Sequence, residues 1–194
     1  MSVCLLAIGD GRDRYHAHSW ASLREMLPDV EHTVEIDDRE HRLGFAGAIA
    51  EGWRQALRTD ATHIFHAELD FTYLEPINLA GMIGVLHARP HLAQVSLKRQ
   101  PVNAAEVMAG GFVECQPDSY REVDGVTEHA VCFTTNPSVY PAALCHRGWP
   151  QVAFSEGVFS ASLRDEGWRF AIWGAKFDAP RVQHIGDVRA GAGY

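Results

Sequence analysis

The sequence predicts an α/β fold in which a mostly parallel central sheet lies between two layers of helices. Short apolar runs alternate with amphipathic stretches through the first 70 residues, which favours parallel βαβ units with right-handed crossovers. Polar residues follow each of the first three apolar runs. The length of 194 residues suits one domain with a sizeable core.

The first half of the chain follows this alternation closely. Its second helix is the clearest, because apolar residues recur every four positions from Phe45 to Leu57 and share one helical face. The first helix ends before Pro28. In chain order we predict a strand at Val3–Ile8, a helix at His16–Leu27, a strand at Val30–Ile36, a helix at Leu43–Leu57, a strand at Thr62–Leu69, a helix at Ile77–His87 and a strand at Leu92–Leu97.

The second half is less regular. The predicted elements are a short helix at Asn103–Met108, strands at Phe112–Cys115 and Ala130–Thr134, a polar loop or hairpin at Asp118–Glu128, helices at Ser138–His146 and Ser155–Glu166, and strands at Phe170–Trp173 and Arg181–His184. No repeat or long linker interrupts the chain, so we expect one domain over residues 1–194, with a flexible tail at 190–194.

Composition restricts the partners of the protein. The net charge is −8 and no large Lys/Arg cluster occurs, which disfavours nucleic-acid binding through a basic face. No apolar run approaches the roughly 20 residues that span a bilayer, and the N-terminus lacks the basic start of a signal peptide. The four cysteines form no CxxC pair, which favours free thiols in a reducing compartment and predicts a cytoplasmic protein.

The most informative segment is the third predicted strand, which ends in Glu68-Leu69-Asp70. Side chains at positions i and i+2 of a strand share one face, so the two carboxylates should converge at the end of the strand. Holding two like charges together is costly unless a cation or a proton compensates them. Mg²⁺ and Mn²⁺ prefer carboxylate oxygens and commonly share them with substrate phosphates. The alternative is an acidic loop after a core strand.

Two other strand ends carry polar residues, Asp10 and Arg12 after the first strand and Asp37 with Asp38 after the second. Ligands of parallel sheets bind at the carboxyl ends of the strands, so a nucleotide could contact all three ends. Strands also run into solvent, which explains polar ends without any ligand. Neither GxGxxG nor GxxxxGK[ST] is present, which leaves a metal as the route to phosphate binding.

The second half contains two further candidate site residues, the acid Glu156 and the histidine His184. Glu156 lies at the start of a predicted helix with Ser155 as a candidate N-cap. A carboxylate there either stabilises the helix N-terminus or acts as a general base toward an acceptor hydroxyl. His184 lies in a short apolar strand and is either a core residue or, if it returns to Glu68 and Asp70, a metal ligand.

Together these features resemble the GT-A glycosyltransferases, in particular the small family-2-like enzymes. The resemblance rests on the polar end of the first strand, the Gly44–Trp53 helix before the acidic strand, and Glu68-Leu69-Asp70 at the position of the family's Asp-x-Asp motif. Glu156 and His184 complete it. It implies a three-layer αβα sandwich with a Rossmann-like sheet, in which residues 1–98 bind a nucleotide sugar and residues 99–189 bind the acceptor.

The resemblance also implies roles for residues. Mn²⁺ or Mg²⁺ would be held on the diphosphate of a UDP-, GDP- or dTDP-sugar, with Asp70 as principal ligand, Glu68 on the metal or ribose, and His184 as a further ligand. Glu156 would be the base of an inverting transfer to an unknown glycan, protein or small-molecule acceptor. The nucleoside would face Asp10, Arg12, Asp37 and Arg42.

The sequence departs from the family pattern at several points. Glu68 replaces an aspartate, Glu156 lacks a following aspartate, and the C-terminal signature of processive synthases is missing, which implies a single transfer and leaves retention open. By position, Asn136, Trp149 and Lys98 with Arg99 are candidate lining residues of an acceptor pocket. The alternatives are a nucleotidyltransferase-like enzyme on a similar sheet, for which the first loop is a partial match, or a non-catalytic binding protein.

Overall fold

The computed structural model describes residues 2–9, 13–101, 108 and 112–186. Asp10 and Arg12 therefore lie outside the described residues, as do most of the helix predicted at Asn103–Met108 and the tail at 190–194. The strands are β1 (Val3–Gly9), β2 (His32–Asp37), β3 (His63–Glu68), β4 (Phe71–Tyr73), β5 (Leu92–Leu97), β6 (Tyr120–Val123), β7 (Val126–His129), β8 (Ser138–Pro141), β9 (Arg169–Trp173) and β10 (Val182–His184). The α-helices are α1 (Asp13–Met26), α2 (Asp38–His41), α3 (Gly44–Ala56), α4 (Leu79–Ala88), α5 (Phe112–Cys115) and α6 (Ser155–Asp165).

The described strands form one large sheet and one small sheet. The large sheet has eight strands in the order β2-β1-β3-β8-β5-β9-β7-β6. Strand β1 pairs in parallel with β2 and β3, and β5 pairs in parallel with β9. Only β8 and β7 run against the remaining strands of this sheet. Strands β4 and β10 form the separate antiparallel pair.

Helices cover both faces of the large sheet because its central strands are apolar on both faces. All seven residues of β1 are buried, and they alternate between the two cores. One core joins Leu5 to residues of α1 and α4, such as Leu23 and Ile83. The other joins Leu6 to α3 and α6. The predicted three-layer α/β fold with a mostly parallel sheet is confirmed.

The predicted elements of the first half are also confirmed, within one to three residues at most ends. Three predictions in the second half are wrong. Phe112–Cys115 is a helix rather than a strand. Ala130–Thr134 contains no strand, because the strands that pair in this part of the chain are β6 and β7, which precede it as a hairpin. Ser138–His146 is β8 followed by a 3₁₀ turn at Ala142–Arg147 rather than one helix.

The structure also bears on membrane spanning and on the cysteines. Among the described residues, no helix is both long and apolar enough to cross a bilayer.

All four cysteines are free thiols, of which Cys4 and Cys145 are buried. Burial raises the pKa of the Cys4 thiol to about 11, so this thiol is held in its unreactive protonated form at neutral pH.

Candidate active site

The predicted acidic pair lies where β3 leaves the large sheet. Glu68 is the last residue of β3, and Leu69 still donates its N–H to the carbonyl of Ile8 at 2.8 Å. Asp70 then occupies the turn into β4, so the two acids do not share one continuous strand as predicted. They are nevertheless close enough for the Asp70 charge to raise the pKa of Glu68.

His184 comes back to this turn through the small sheet. The register of β10 against β4 places His184 opposite Phe71, and Ile185 donates its N–H to the carbonyl of Asp70 at 2.8 Å. The imidazole Nε2 consequently lies 3.1 Å from Asp70 Oδ2. His184 is thus a partner of Asp70 rather than an isolated core residue.

Two neighbours fix the Asp70–His184 pair. The side-chain amide of Gln100 donates to the His184 carbonyl and accepts from the His184 N–H, both at 2.9 Å. Gly186 passes so close that a Cβ there would lie 2.5 Å from Asp70 Oδ2 and 2.9 Å from His184 Nε2. The backbone therefore leaves room for the pair only because residue 186 has no side chain.

Glu156 approaches Glu68 from the opposite half of the chain. Its Oε1 accepts the backbone N–H of Thr135 at 2.8 Å, and the Thr135 hydroxyl also hydrogen-bonds to Glu68. Burial, followed by the charges of Asp70 and Glu156, raises the pKa of Glu68 well above its ordinary value. Thr135 thus lies between the Glu68 and Glu156 carboxylates, which repel each other when both are ionised.

The start of α6 differs from the prediction. Ser155 is the first helical residue rather than the N-cap, and its hydroxyl accepts from Trp149 Nε1 at 3.0 Å. Phe154 precedes it with a φ of 56° and no capping side chain. Because Glu156 binds Thr135, its carboxylate is directed to the site instead of to its own helix. Burial raises the pKa of Glu156 despite the hydrogen bonds from Thr135 and Thr134, which suits a general base.

Arg99 supplies positive charge beside these acids. Its Nη1 donates to Asn136 Oδ1 at 3.2 Å, and its charge lowers the pKa of both Glu68 and Glu156. The sequence suggested Arg99 and Asn136 only by position, and it gave no signal for Thr135 or Gln100. Polar residues in an irregular segment show no periodicity that would single them out.

The end of β2 has a different arrangement from the one predicted. Asp37 lies beside Gly9 in the register of β1 and β2, but its carboxylate caps α2 through the Arg39 N–H and pairs with the Arg39 guanidinium. Asp38 accepts the N–H of Gly44 at 2.9 Å and so caps α3. Arg42 is exposed and ends α2 with a φ of 49°.

A cavity of about 160 Å³ lies against Thr134, whose neighbour Thr135 binds Glu156. Its wall includes Lys98, Arg99 and Asn136, three of the four residues that the sequence suggests by position for an acceptor pocket. Trp149, the fourth candidate, is buried in the second core against Trp53. It does not line this cavity, because the indole packs as a core aromatic and donates its N–H to Ser155 Oγ.

The side chains at this turn offer few ligands for a divalent cation. Among the described residues, no group of three or more His, Cys, Asp and Glu side chains is arranged to hold a metal. Asp70 and His184 offer one carboxylate and one imidazole in contact, which Mn²⁺ accepts. Cations of this kind often bind proteins through one or two carboxylates together with substrate phosphates. Asp70 and His184 would therefore supply two ligands of such a cation, and a substrate would have to supply the others.

Comparisons with known proteins identify the fold. No family model matches the chain, and no curated protein matches it in sequence. Among solved structures, TarS from S. aureus in complex with UDP-GlcNAc aligns with a TM-score of 0.59 at 11% identity, over 100% of this chain and 60% of that one. The mannosyltransferase PcManGT from Pyrobaculum calidifontis, in complex with GDP-Man and Mn²⁺, aligns with a TM-score of 0.59 at 13% identity, over 96% of this chain and 57% of that one.

These alignments confirm the predicted resemblance at the level of fold. The chain has a GT-A-like, glycosyltransferase-type fold. It spans about 60% of the length of the proteins it matches. At such low identity the comparison shows the fold alone.

Proposed function

We propose that this chain is a metal-assisted glycosyltransferase that moves a sugar from a nucleotide-diphosphate donor to an acceptor hydroxyl. The observation that carries the proposal is the pairing of Asp70 with His184 at 3.1 Å, within the field of two further carboxylates, Glu68 and Glu156. A concentration of acids of this kind favours a divalent cation, which offsets their mutual repulsion. The shared fold of nucleotide-sugar enzymes supports this choice of donor.

Asp70 and His184 would hold Mn²⁺ or Mg²⁺, and Glu68 would bind the metal or the donor ribose. When bound, the cation stabilises the negative charge of the departing diphosphate. Gln100 fixes the His184 backbone at 2.9 Å on both of its polar groups. These two hydrogen bonds fix the His184 backbone and so keep its imidazole directed at Asp70 in the absence of the donor.

Glu156 would accept the proton of the acceptor hydroxyl in an inverting, single transfer. Its raised pKa strengthens it as a base, and the Thr135 N–H at 2.8 Å orients the carboxylate. Arg99 counteracts the burial by favouring the ionised form of Glu156. The base is therefore held in one orientation with a pKa set by opposing influences.

The donor nucleoside would lie over the carboxyl ends of β1 and β2. We assign its contacts to Asp10, Arg12, Asp37 and Arg42. The Asp37 carboxylate is paired with the Arg39 guanidinium. This ion pair would have to break for Asp37 to accept a hydrogen bond from the donor nucleoside, so donor binding would rearrange the turn at the start of α2. Residues 1–98 then form the donor half of a single domain, and residues 99–189 form the acceptor half.

Calorimetric titration with UDP-, GDP- and dTDP-sugars, with and without Mn²⁺, tests this proposal. We expect one donor class to bind, and to bind more tightly with Mn²⁺. Asp70→Asn should abolish the gain from Mn²⁺ because an amide is a poor ligand for a hard cation. The matched control is Asp29→Asn, at an exposed loop position, which should bind like the wild type.

Three outcomes would contradict the proposal. Equal donor binding by wild type and Asp70→Asn would remove Asp70 from the metal site. Absence of binding for every nucleotide sugar would reject the donor class itself. Donor binding without any transfer would instead indicate a binding protein that keeps the fold.

A further inference from the structure

The cavity against Thr134 has walls from elements of both halves of the chain. It lies between the carboxyl end of β5, Ile172 of β9 and the β6–β7 hairpin. Its described wall includes Leu97, Arg99, Gln100, Val113, Thr134 and Ile172. Neither Asp70 nor His184 belongs to this wall, but Gln100 does, and its side chain binds the His184 backbone at 2.9 Å, so the cavity adjoins the proposed metal site.

The volume of the cavity limits what it can hold. It measures about 160 Å³, and a protein cavity of about 150 Å³ lined by apolar side chains accommodates benzene. Leu97, Val113 and Ile172 supply apolar contact surface from β5, α5 and β9. The cavity therefore suits one six-membered ring with an apolar body.

The charges of the wall are already balanced within the protein. Lys98 Nζ donates to Glu114 Oε1 at 3.0 Å and to the Lys176 carbonyl at 2.9 Å. Burial lowers the pKa of His129 to about 4, so this imidazole is neutral at neutral pH. Arg99 acts on the carboxylates of Glu68 and Glu156. Lys98 is thus paired and His129 is neutral, and the Arg99 charge acts on acids outside the wall, which favours an uncharged ligand.

The wall also connects the cavity to the proposed base. Thr134 lines the cavity and hydrogen-bonds to Glu156. Cys132 lines it as well, and the Glu156 charge contributes to the raised pKa of that thiol. The cavity therefore adjoins the Thr134–Thr135 segment, whose Thr135 N–H binds the Glu156 carboxylate at 2.8 Å.

We propose that this cavity binds the acceptor as a single uncharged ring that carries one hydroxyl, such as a phenol, with the hydroxyl directed to Glu156. The acceptor role rests on the proposed function, whereas binding of the ring does not. In the transfer, the acceptor oxygen bonds to the anomeric carbon as the bond from that carbon to the diphosphate oxygen breaks. Glu156 takes the hydroxyl proton, and the nucleoside diphosphate leaves with the electron pair.

Ligand-observed NMR with the donor-free protein tests this inference, with phenol, para-hydroxybenzoate and methyl glucoside as probes. We expect phenol to bind, and the other two to bind at least about tenfold more weakly because one is charged and the other is polar on all sides. Ile172→Phe and Val113→Phe fill the cavity from two different elements and should each weaken phenol binding by a similar factor. Val152→Phe, at a position that is 53% exposed and outside the described wall, is the control.

The outcomes separate this inference from the proposed function. Thermal melting identifies any variant that fails to fold, and the second cavity variant then carries the test. Absence of phenol binding in a protein that binds a nucleotide sugar overturns the acceptor inference alone. Tighter binding of para-hydroxybenzoate or methyl glucoside overturns the assigned chemistry. Phenol binding that both folded cavity variants retain overturns the assigned location.

Discussion

Gly186→Ala should disable the Asp70–His184 pair while leaving the fold intact. The added Cβ would lie 2.5 Å from Asp70 Oδ2, and relieving that contact requires a movement of about 1 Å. The carboxylate is now 3.1 Å from His184 Nε2, so such a movement lengthens the hydrogen bond beyond its useful range. Losing a hydrogen bond to a charged group costs about 1.5–3 kcal/mol.

That loss should weaken Mn²⁺-dependent donor binding by roughly tenfold to a hundredfold. The assay is calorimetric titration of the donor in the presence of Mn²⁺, accompanied by thermal melting. The matched control is Gly84→Ala in α4, where an added Cβ meets nothing within 4 Å. This control should gain about 0.5–1 kcal/mol of stability, as expected for alanine in a helix interior, and keep wild-type affinity. Wild-type affinity in Gly186→Ala would refute the role assigned to the pair.

Three further predictions address the base, the pH dependence and the core. Glu156→Gln should retain donor affinity by calorimetry and lose transfer by at least about a hundredfold in a turnover assay, and unchanged transfer rejects Glu156 as the base. Burial lowers the pKa of His63 from 6.5 to about 4, so protonation of this imidazole favours the unfolded state. The contribution of His63 to the free energy of unfolding is therefore complete above about pH 6.5 and is lost as the pH falls toward 4. Urea unfolding should therefore lose about 2 kcal/mol from this group between about pH 7 and pH 5, and His63→Gln should lessen that loss whereas the exposed His146→Gln should not. Phe133→Ala, at 1% exposure within the second core, should cost about 3–5 kcal/mol in the same assay, whereas Phe154→Ala, 68% exposed, should cost under about 0.5 kcal/mol; equal losses would contradict the described core.

The first half of the fold was predictable because its elements carry local signals. Strand β1 is apolar throughout, which is typical of a strand buried on both faces. The spacing of four residues in α3 likewise places Ile49 and Trp53 on its buried face. In these segments hydrophobic periodicity and tertiary burial agree.

The second half was less predictable because tertiary pairing decides its elements. Ser138–Pro141 has too short a run to distinguish strand from helix by periodicity. It becomes a strand because it fills the gap between β3 and β5, with Val139 and Tyr140 in opposite cores. Phe112–Cys115 was misassigned for the same reason, since four apolar or acidic residues fit either structure.

The candidate site was partly predictable. The pairing of Glu68 and Asp70 was indicated by their spacing, and Glu156 by its position at a helix start. The contact of His184 with Asp70 depends on the β4–β10 ladder, and β4 was not predicted at all. Asp37 illustrates the opposite case, because a carboxylate at a strand end can equally cap the next helix.

The most direct test of the central claim is turnover of a nucleotide-sugar panel by the purified protein with Mn²⁺. Release of the nucleoside diphosphate is measured with and without candidate acceptors. We predict that one donor class is consumed, that chelation of the metal suppresses the reaction, and that Asp70→Asn lacks it while Asp29→Asn retains it. Consumption of no donor, or equal consumption by wild type and Asp70→Asn, would contradict the claim.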